Sequence, residues 1–334
     1  MKMSWKTGTA IVSLVLIAVI AATAVRIYIL KHAGPPEKIV IAIAALPLSA
    51  PVYVAQSKGY FAREGLEVTL RTYELGKDAL EAVAGGDAHF ATVAETPIMY
   101  AGLEGRKIYV VASIADSDRF AKIVARRDRG IAGPCDLRGK RIGASIGTNA
   151  EFFLFTYLVF NRIERDAVRV ADVSPKKGIS AVLNGSVDAV VTWRPYSTLL
   201  RERLGNSAAV LSGEGIYSAI WSVVCAQGFA ERSPETIKKV LRALVRAQSF
   251  IMENPGASNR IVAGYLGSNG AALLGDINFD VRLGQTLLLA LEDEARWAMR
   301  SGYTKKTRVP NYLNYMYTKG LDEVKADSDT VIHK

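Results

Sequence analysis

Four short stretches are placed to do chemistry on a small molecule, because each follows an apolar strand-like run and opens a helical one. Loops of that kind present unpaired helix N–H groups at the carboxyl ends of strands. In the first, Ala45–Ser49, Ser49 either caps the next helix or touches ligand. In the second, Glu95 and Thr96 stand at a strand end, where a carboxylate suits the helix dipole and also serves as a plain cap. The third, Gly147–Phe152, pairs Thr148 with Glu151 in a T-x-x-E capping box, leaving Asn149 and free N–H groups for an anion or carbonyl oxygen. The fourth, Thr192–Tyr196, sets Arg194 between Trp193 and Tyr196, either as a stacking wall with a carboxylate or sulfonate clamp, or as lobe packing with a surface ion pair.

Catalytic patterns do not occur in these loops. The sequence has no G-x-x-x-x-G-K-[ST], no G-x-G-x-x-G after the first strand and no H-E-x-x-H. His32, His89 and His333 are the only histidines and are widely spaced, so no metal site and no cofactor are expected. Cys135 and Cys225 cannot build a disulfide framework; they read as separate buried thiols, with pairing as the alternative.

The elements that must position these loops alternate. Strands are expected at 38–43, 66–73, 88–93 and 108–114, with helices at 50–59, 76–85 and 96–103 between them. A second series follows the turn-rich 130–140: strands at 141–144, 168–173 and 187–192, and helices at 149–161 and 176–184. A strand-like run at 217–226 precedes helices at 234–253, 256–266 and 281–300. The pattern predicts an α/β fold in two lobes with a helical C-terminal tail. AVAGGDAHFATVAETP (82–97) also overlays AVLNGSVDAVVTWRP (181–195), putting His89 on Asp188 and Glu95 on Arg194.

The chain has 334 residues, 50% of them hydrophobic, enough for about two domains with real cores. Thr7–Val25 is 19 residues without a charge, about 28 Å as a helix, so one N-terminal hydrophobic helix is expected in segment 1–33. Lys2 and Lys6 precede it and Ala22-Thr23-Ala24 closes it, so a membrane anchor and a cleaved signal both fit, and either exports the remainder. Over 34–334 there are 38 basic against 32 acidic residues, spread along the sequence. That spread gives no nucleic-acid footprint.

Together these stretches resemble the solute-binding proteins of ABC importers, of the nitrate, sulfonate and taurine type related to thiamine-pyrimidine-precursor binders. The likeness rests on AQSKGYFAREGLEV (55–68), 82–97, DLRGKRIGASIGTNAEFFL (136–154), VDAVVTWRPY (187–196) and LEDEARWAMRSG (291–302). It implies a two-lobed type II periplasmic-binding fold, with 36–122 and 227–334 in one lobe, 123–226 in the other, and crossover strands near 122–126 and 220–226. It also implies a monomeric, non-enzymatic binder on the outer face of the cytoplasmic membrane, closing on one ligand and passing it to permease subunits. Leu46, Ser49, Glu95, Thr96, Thr148, Asn149, Trp193 and Arg194 would line the cleft. The expected ligand is a small organic anion or zwitterion; a pyrimidine-like heterocycle, a sensory or docking ectodomain, and a lyase on the same fold are the alternatives.

Overall fold

The computed structural model describes residues 34–268 and 273–325. The expected N-terminal helix lies outside them, and no helix among the described residues is long and apolar enough to cross a membrane.

Two five-stranded sheets organise the chain. In the first, β1 (Glu37–Ala44) lies between β2 (Leu66–Tyr73) and β3 (Phe90–Ala94), both parallel to it. The antiparallel β10 (Ala219–Ala226) then joins β3 to β4 (Ile108–Ser117). The second repeats this plan: β6 (Arg141–Ala144) runs parallel to β7 (Arg169–Asp172) and β8 (Ala189–Thr192), and the antiparallel β5 (Lys122–Arg126) joins β8 to β9 (Ala208–Ser212). The strand orders, 2-1-3-10-4 and 7-6-8-5-9, superpose position by position. Each sheet with its helices is a lobe, and the chain crosses between them after β4 and again before β10.

The sequence overlay is therefore structural. His89 and Asp188 both precede the middle strand and do one job: His89 Nδ1 accepts the Val40 N–H at 3.0 Å, and Asp188 Oδ2 accepts the Arg141 N–H at 2.9 Å. Each ties its strand to the neighbouring parallel one.

Helices follow the strands as the right-handed crossover requires. In the first lobe α1 (Ala50–Ser57), α2 (Tyr60–Arg63), α3 (Gly76–Ala84) and α4 (Glu95–Glu104) precede β4. In the second lie α5 (Asn149–Phe160), α6 (Pro175–Leu183) and α7 (Tyr196–Leu204). After β10 come α8 (Gln227–Arg232), α9 (Pro234–Glu253), α10 (Pro255–Leu266) and α11 (Gln285–Arg300), which pack back on the first lobe.

Three expectations change. Helix 281–300 starts later, because Arg282 forms a bridge with Ser113 that continues the first sheet. The segment 196–212 contains α7 and β9, missed because α7 buries only Ser197 and Leu200 and so shows little periodicity. Cys225 is buried as expected but Cys135 is exposed, and the two are unpaired.

Candidate functional site

Three helix N-termini meet where the lobes face one another. Leu75, Gly76 and Lys77 open α3, Ala94 and Pro97 flank the start of α4, and Thr148 and Asn149 open α5; all of them line one cavity, which Leu46, Trp193 and Trp221 complete. Neither α3 nor α4 is capped by the side chain of its N-cap residue, so their positive dipole ends face this space, although the Glu95 N–H of α4 is taken by its own carboxylate. Thr148 does cap α5, accepting the Ala150 N–H at 3.2 Å while its own hydroxyl donates to Ser145 O at 2.7 Å.

Two more donors belong to residues lining this cavity and have no hydrogen-bond partner among the described residues: Asn149 Nδ2 and the Trp193 indole Nε1. A buried N–H left unmade costs about 1–3 kcal/mol, so such atoms mark where an acceptor belongs. Trp193 is buried and stacked on Phe120, with ring centroids 5.3 Å apart at 18°. On the other side, the Trp221 Nε1–H donates to Ser49 Oγ at 3.0 Å, and Ser49 Oγ lies 3.1 Å from Thr92 Oγ1. Gly76 is required here, since a Cβ would stand 3.0 Å from Val93 Cα and 3.2 Å from the Trp221 ring.

The space at the centre measures only about 10 Å³, room for a single water. Wider chambers of about 190 and 220 Å³ open on either side, and Lys77 lines all three. Several polar contacts join the lobes, among them one between Glu151 and Tyr303. Lys77 Nζ donates to Ile146 O at 2.9 Å, the Lys176 N–H to Glu74 Oε1 at 2.9 Å, and Arg194 pairs with Asp276 at 2.6 Å. An organic ligand enters the central space only if these contacts part.

The expected site residues thus divide. Leu46, Thr148, Asn149 and Trp193 line the cavity. Ser49 instead positions Trp221 through the hydrogen bond above. Glu95 turns to the return crossover, where its carboxylate accepts the Ile220 N–H at 2.9 Å and the Tyr217 hydroxyl. Thr96 faces α11, against the carboxyl of Glu294. Arg194 is taken up by Asp276, the ion-pair alternative rather than the clamp. Glu151 turns back past the N-cap and accepts the Gly147 N–H at 2.9 Å, so the reciprocal bond of the expected Thr148–Glu151 capping box is not made.

Lys77, Gly76 and Trp221 were not anticipated. The Leu75–Lys77 loop is a fifth strand-to-helix junction of the same kind, and its Gly-Lys pair was the available signal.

Glu95 and Glu294 are fully buried, and no cation forms an ion pair with either among the described residues. Burial raises both carboxyls well above the usual range, and their mutual repulsion adds to the effect at Glu294. Burial also raises Glu151, against the Gly147 N–H that favours its charge.

Residues 47–258 match the family model described as NMT1/THI5 like. The chain belongs to that family. A taurine-binding periplasmic protein of Escherichia coli is 26% identical over 64% of this chain and 67% of its own length. A 4-amino-5-hydroxymethyl-2-methylpyrimidine phosphate synthase of Aspergillus parasiticus is 27% identical over 64% of this chain and 66% of its own. The chain thus spans about two thirds of the length of these relatives. Among solved structures, the alkanesulfonate-binding protein SsuA from Xanthomonas axonopodis pv. citri, bound to MOPS, superposes with a TM-score of 0.74 at 18% identity, covering 85% of this chain and 99% of that one. That likeness establishes the periplasmic-binding-protein fold, within a family that holds both binders and enzymes.

Proposed function

We propose that this protein is the extracytoplasmic solute-binding component of an ABC importer, taking a small organic anion into the interlobe cleft and delivering it to permease subunits. One observation carries the reading: the starts of α3 and α4 and the unpartnered Asn149 Nδ2 and Trp193 Nε1 belong to residues lining a central cavity that holds no carboxylate among the described residues. Acceptor-rich groups such as sulfonate or carboxylate match that surface. Among the described residues Lys77 is the one formal cation on its lining, and it supplies the countercharge. The taurine- and sulfonate-binding relatives agree with this choice.

Capture is hinge closure. An anion held by α3 and α4 of one lobe and by Asn149 and Trp193 of the other binds the closed state better than the open one, and so shifts the population toward it. The tryptophan walls also favour a flat ring, which keeps a pyrimidine-like heterocycle as the second reading.

A lyase would need a general base on the cavity. Both carboxylates considered for that role are engaged elsewhere, Glu95 with Tyr217 and Ile220 and Glu151 with Gly147. This supports a binder.

Thermal unfolding of the full chain with taurine, ethanesulfonate, nitrate and hydroxymethylpyrimidine tests the proposal. A ligand at 100 times its Kd adds about 2.7 kcal/mol of stability. Stabilisation by a sulfonate recovered unchanged is the expected result. Stabilisation by the pyrimidine alone would replace the anion reading with the heterocycle one, and conversion of any ligand to product would replace the binder with an enzyme.

A further inference from the structure

The basic residues that look scattered along the sequence are gathered by the fold. Residues 122–212, the second lobe, carry 15 basic against 8 acidic side chains, while 34–121 and 213–334 together carry 23 against 24. Part of the excess lies at the pole of this lobe away from the cleft, where exposed Glu164 and Asp166 also stand among the arginines. Helix α5 runs from the cavity at Thr148 to that pole at Phe160, and β6 and β7 begin there with Arg141 and Arg169 in register.

At the tip, Val159 and Phe160 are 57% and 67% exposed, although α5 covers its other aromatic side chains at least partly. Exposed Arg138, Arg162 and Arg165 belong to the same end of the lobe, and Arg138 reaches over to donate to Arg162 O at 2.9 Å. The Gly139 N–H bonds to Ala167 O at 2.6 Å and the Arg169 N–H to Lys140 O at 2.9 Å, so the surface is continuous into Arg141 and Arg169. None of these five arginines forms an ion pair among the described residues.

We propose that this pole is a docking surface for an anionic phospholipid bilayer. Guanidinium groups without carboxylate partners take phosphate oxygens two at a time. An exposed aromatic and aliphatic tip set among five arginines, with Glu164 and Asp166 between them, suits the boundary between headgroups and acyl chains better than a flat protein face. The 19-residue apolar stretch ahead of the described residues, whether anchor or export signal, takes the chain to a membrane. Since the contact lies opposite the cleft, it steadies the lobe while leaving the mouth open. It does not depend on which solute is bound.

The full chain in nanodiscs, compared by hydrogen exchange in phosphatidylcholine alone and in phosphatidylcholine mixed with phosphatidylglycerol, tests this. Amides of 159–169 should exchange about tenfold more slowly only with the anionic lipid, and high salt should remove the difference. Arg165→Glu with Arg169→Glu should abolish that protection, and Phe160→Ser should weaken it, with the thermal midpoint unchanged for these exposed positions. Equal exchange in both discs, or protection that survives the charge reversal, would overturn the proposal.

Discussion

The Arg194 guanidinium lies 2.6 Å from the Asp276 carboxylate, joining the loop after β8 in the second lobe to the segment before α11 on the first. Arg119 approaches the same carboxylate at 4.0 Å, and the Asp276 carbonyl accepts the Ser117 hydroxyl at 2.5 Å, so the pair closes over the first crossover. Glu95, its counterpart in the sequence overlay, binds the return crossover. The residue after the middle strand of each lobe thus fastens a moving joint.

Removing that latch shifts the open–closed balance more than it changes stability. Both side chains are about a quarter exposed, so Asp276→Ala should cost about 1 kcal/mol or less in unfolding. It should enlarge the radius of gyration by small-angle scattering. Arg194→Asp with Asp276→Arg should restore compactness; a compact Asp276→Ala protein would show that the pair is no latch.

Trp193 is too deeply placed for the simplest truncation. From sequence, Trp193→Ala is expected to leave the melting temperature within a few degrees, but the ring is buried and stacked on Phe120, and such truncations cost about 3–5 kcal/mol. Trp193→Phe keeps the stack and deletes only the Nε1 donor. It should weaken sulfonate binding about tenfold by calorimetry, the value of one hydrogen bond to a charged group, while stability changes little. Unchanged affinity would remove the indole N–H from the site.

The fold was largely legible because strand and helix periods, Gly turns and the repeated strand-turn-helix unit are local. The equivalence of His89 and Asp188 shows how far that reading reaches: two different residue types hold one strand edge, and the overlay aligned them. Thr148, Asn149 and Trp193, which line the cavity, were read from strand-to-helix junctions, whereas Leu46 came with the family resemblance. What stayed hidden is set between lobes. Nothing near residue 194 announces Asp276, and nothing near residue 95 announces Tyr217. The basic pole was invisible for the same reason, since Arg138, Arg162 and Arg169 meet only through tertiary hydrogen bonds.

Lys77 tests the charge balance of the cleft. Lys77→Met keeps the apolar stem and deletes the one formal cation on the cavity lining among the described residues. Sulfonate affinity should fall about tenfold or more and lose much of its salt dependence, whereas binding of an uncharged pyrimidine should persist. Equal loss for both ligands would mean that Lys77 acts by holding Ile146, as a positioning residue.

Glu294 should make stability fall with rising pH. Its carboxyl is fully buried on α11 against Glu95 and the Thr96 hydroxyl, and the Tyr100 and Tyr312 phenols also feel its charge. A carboxyl raised on folding holds its proton in the native state after the unfolded chain has released its own. The native state therefore binds more protons above the unfolded value near pH 4.3, and stability declines from there toward the raised native value, about 8 for Glu95. Glu294→Gln keeps the shape and removes the ionisation. Urea unfolding between pH 5 and pH 9 should show a clearly shallower decline for the variant, and an advantage of about 1 kcal/mol or more at the alkaline end. Parallel curves would mean that Glu294 stays ionised in the native state beside a proton donor, against the burial and repulsion that set it here.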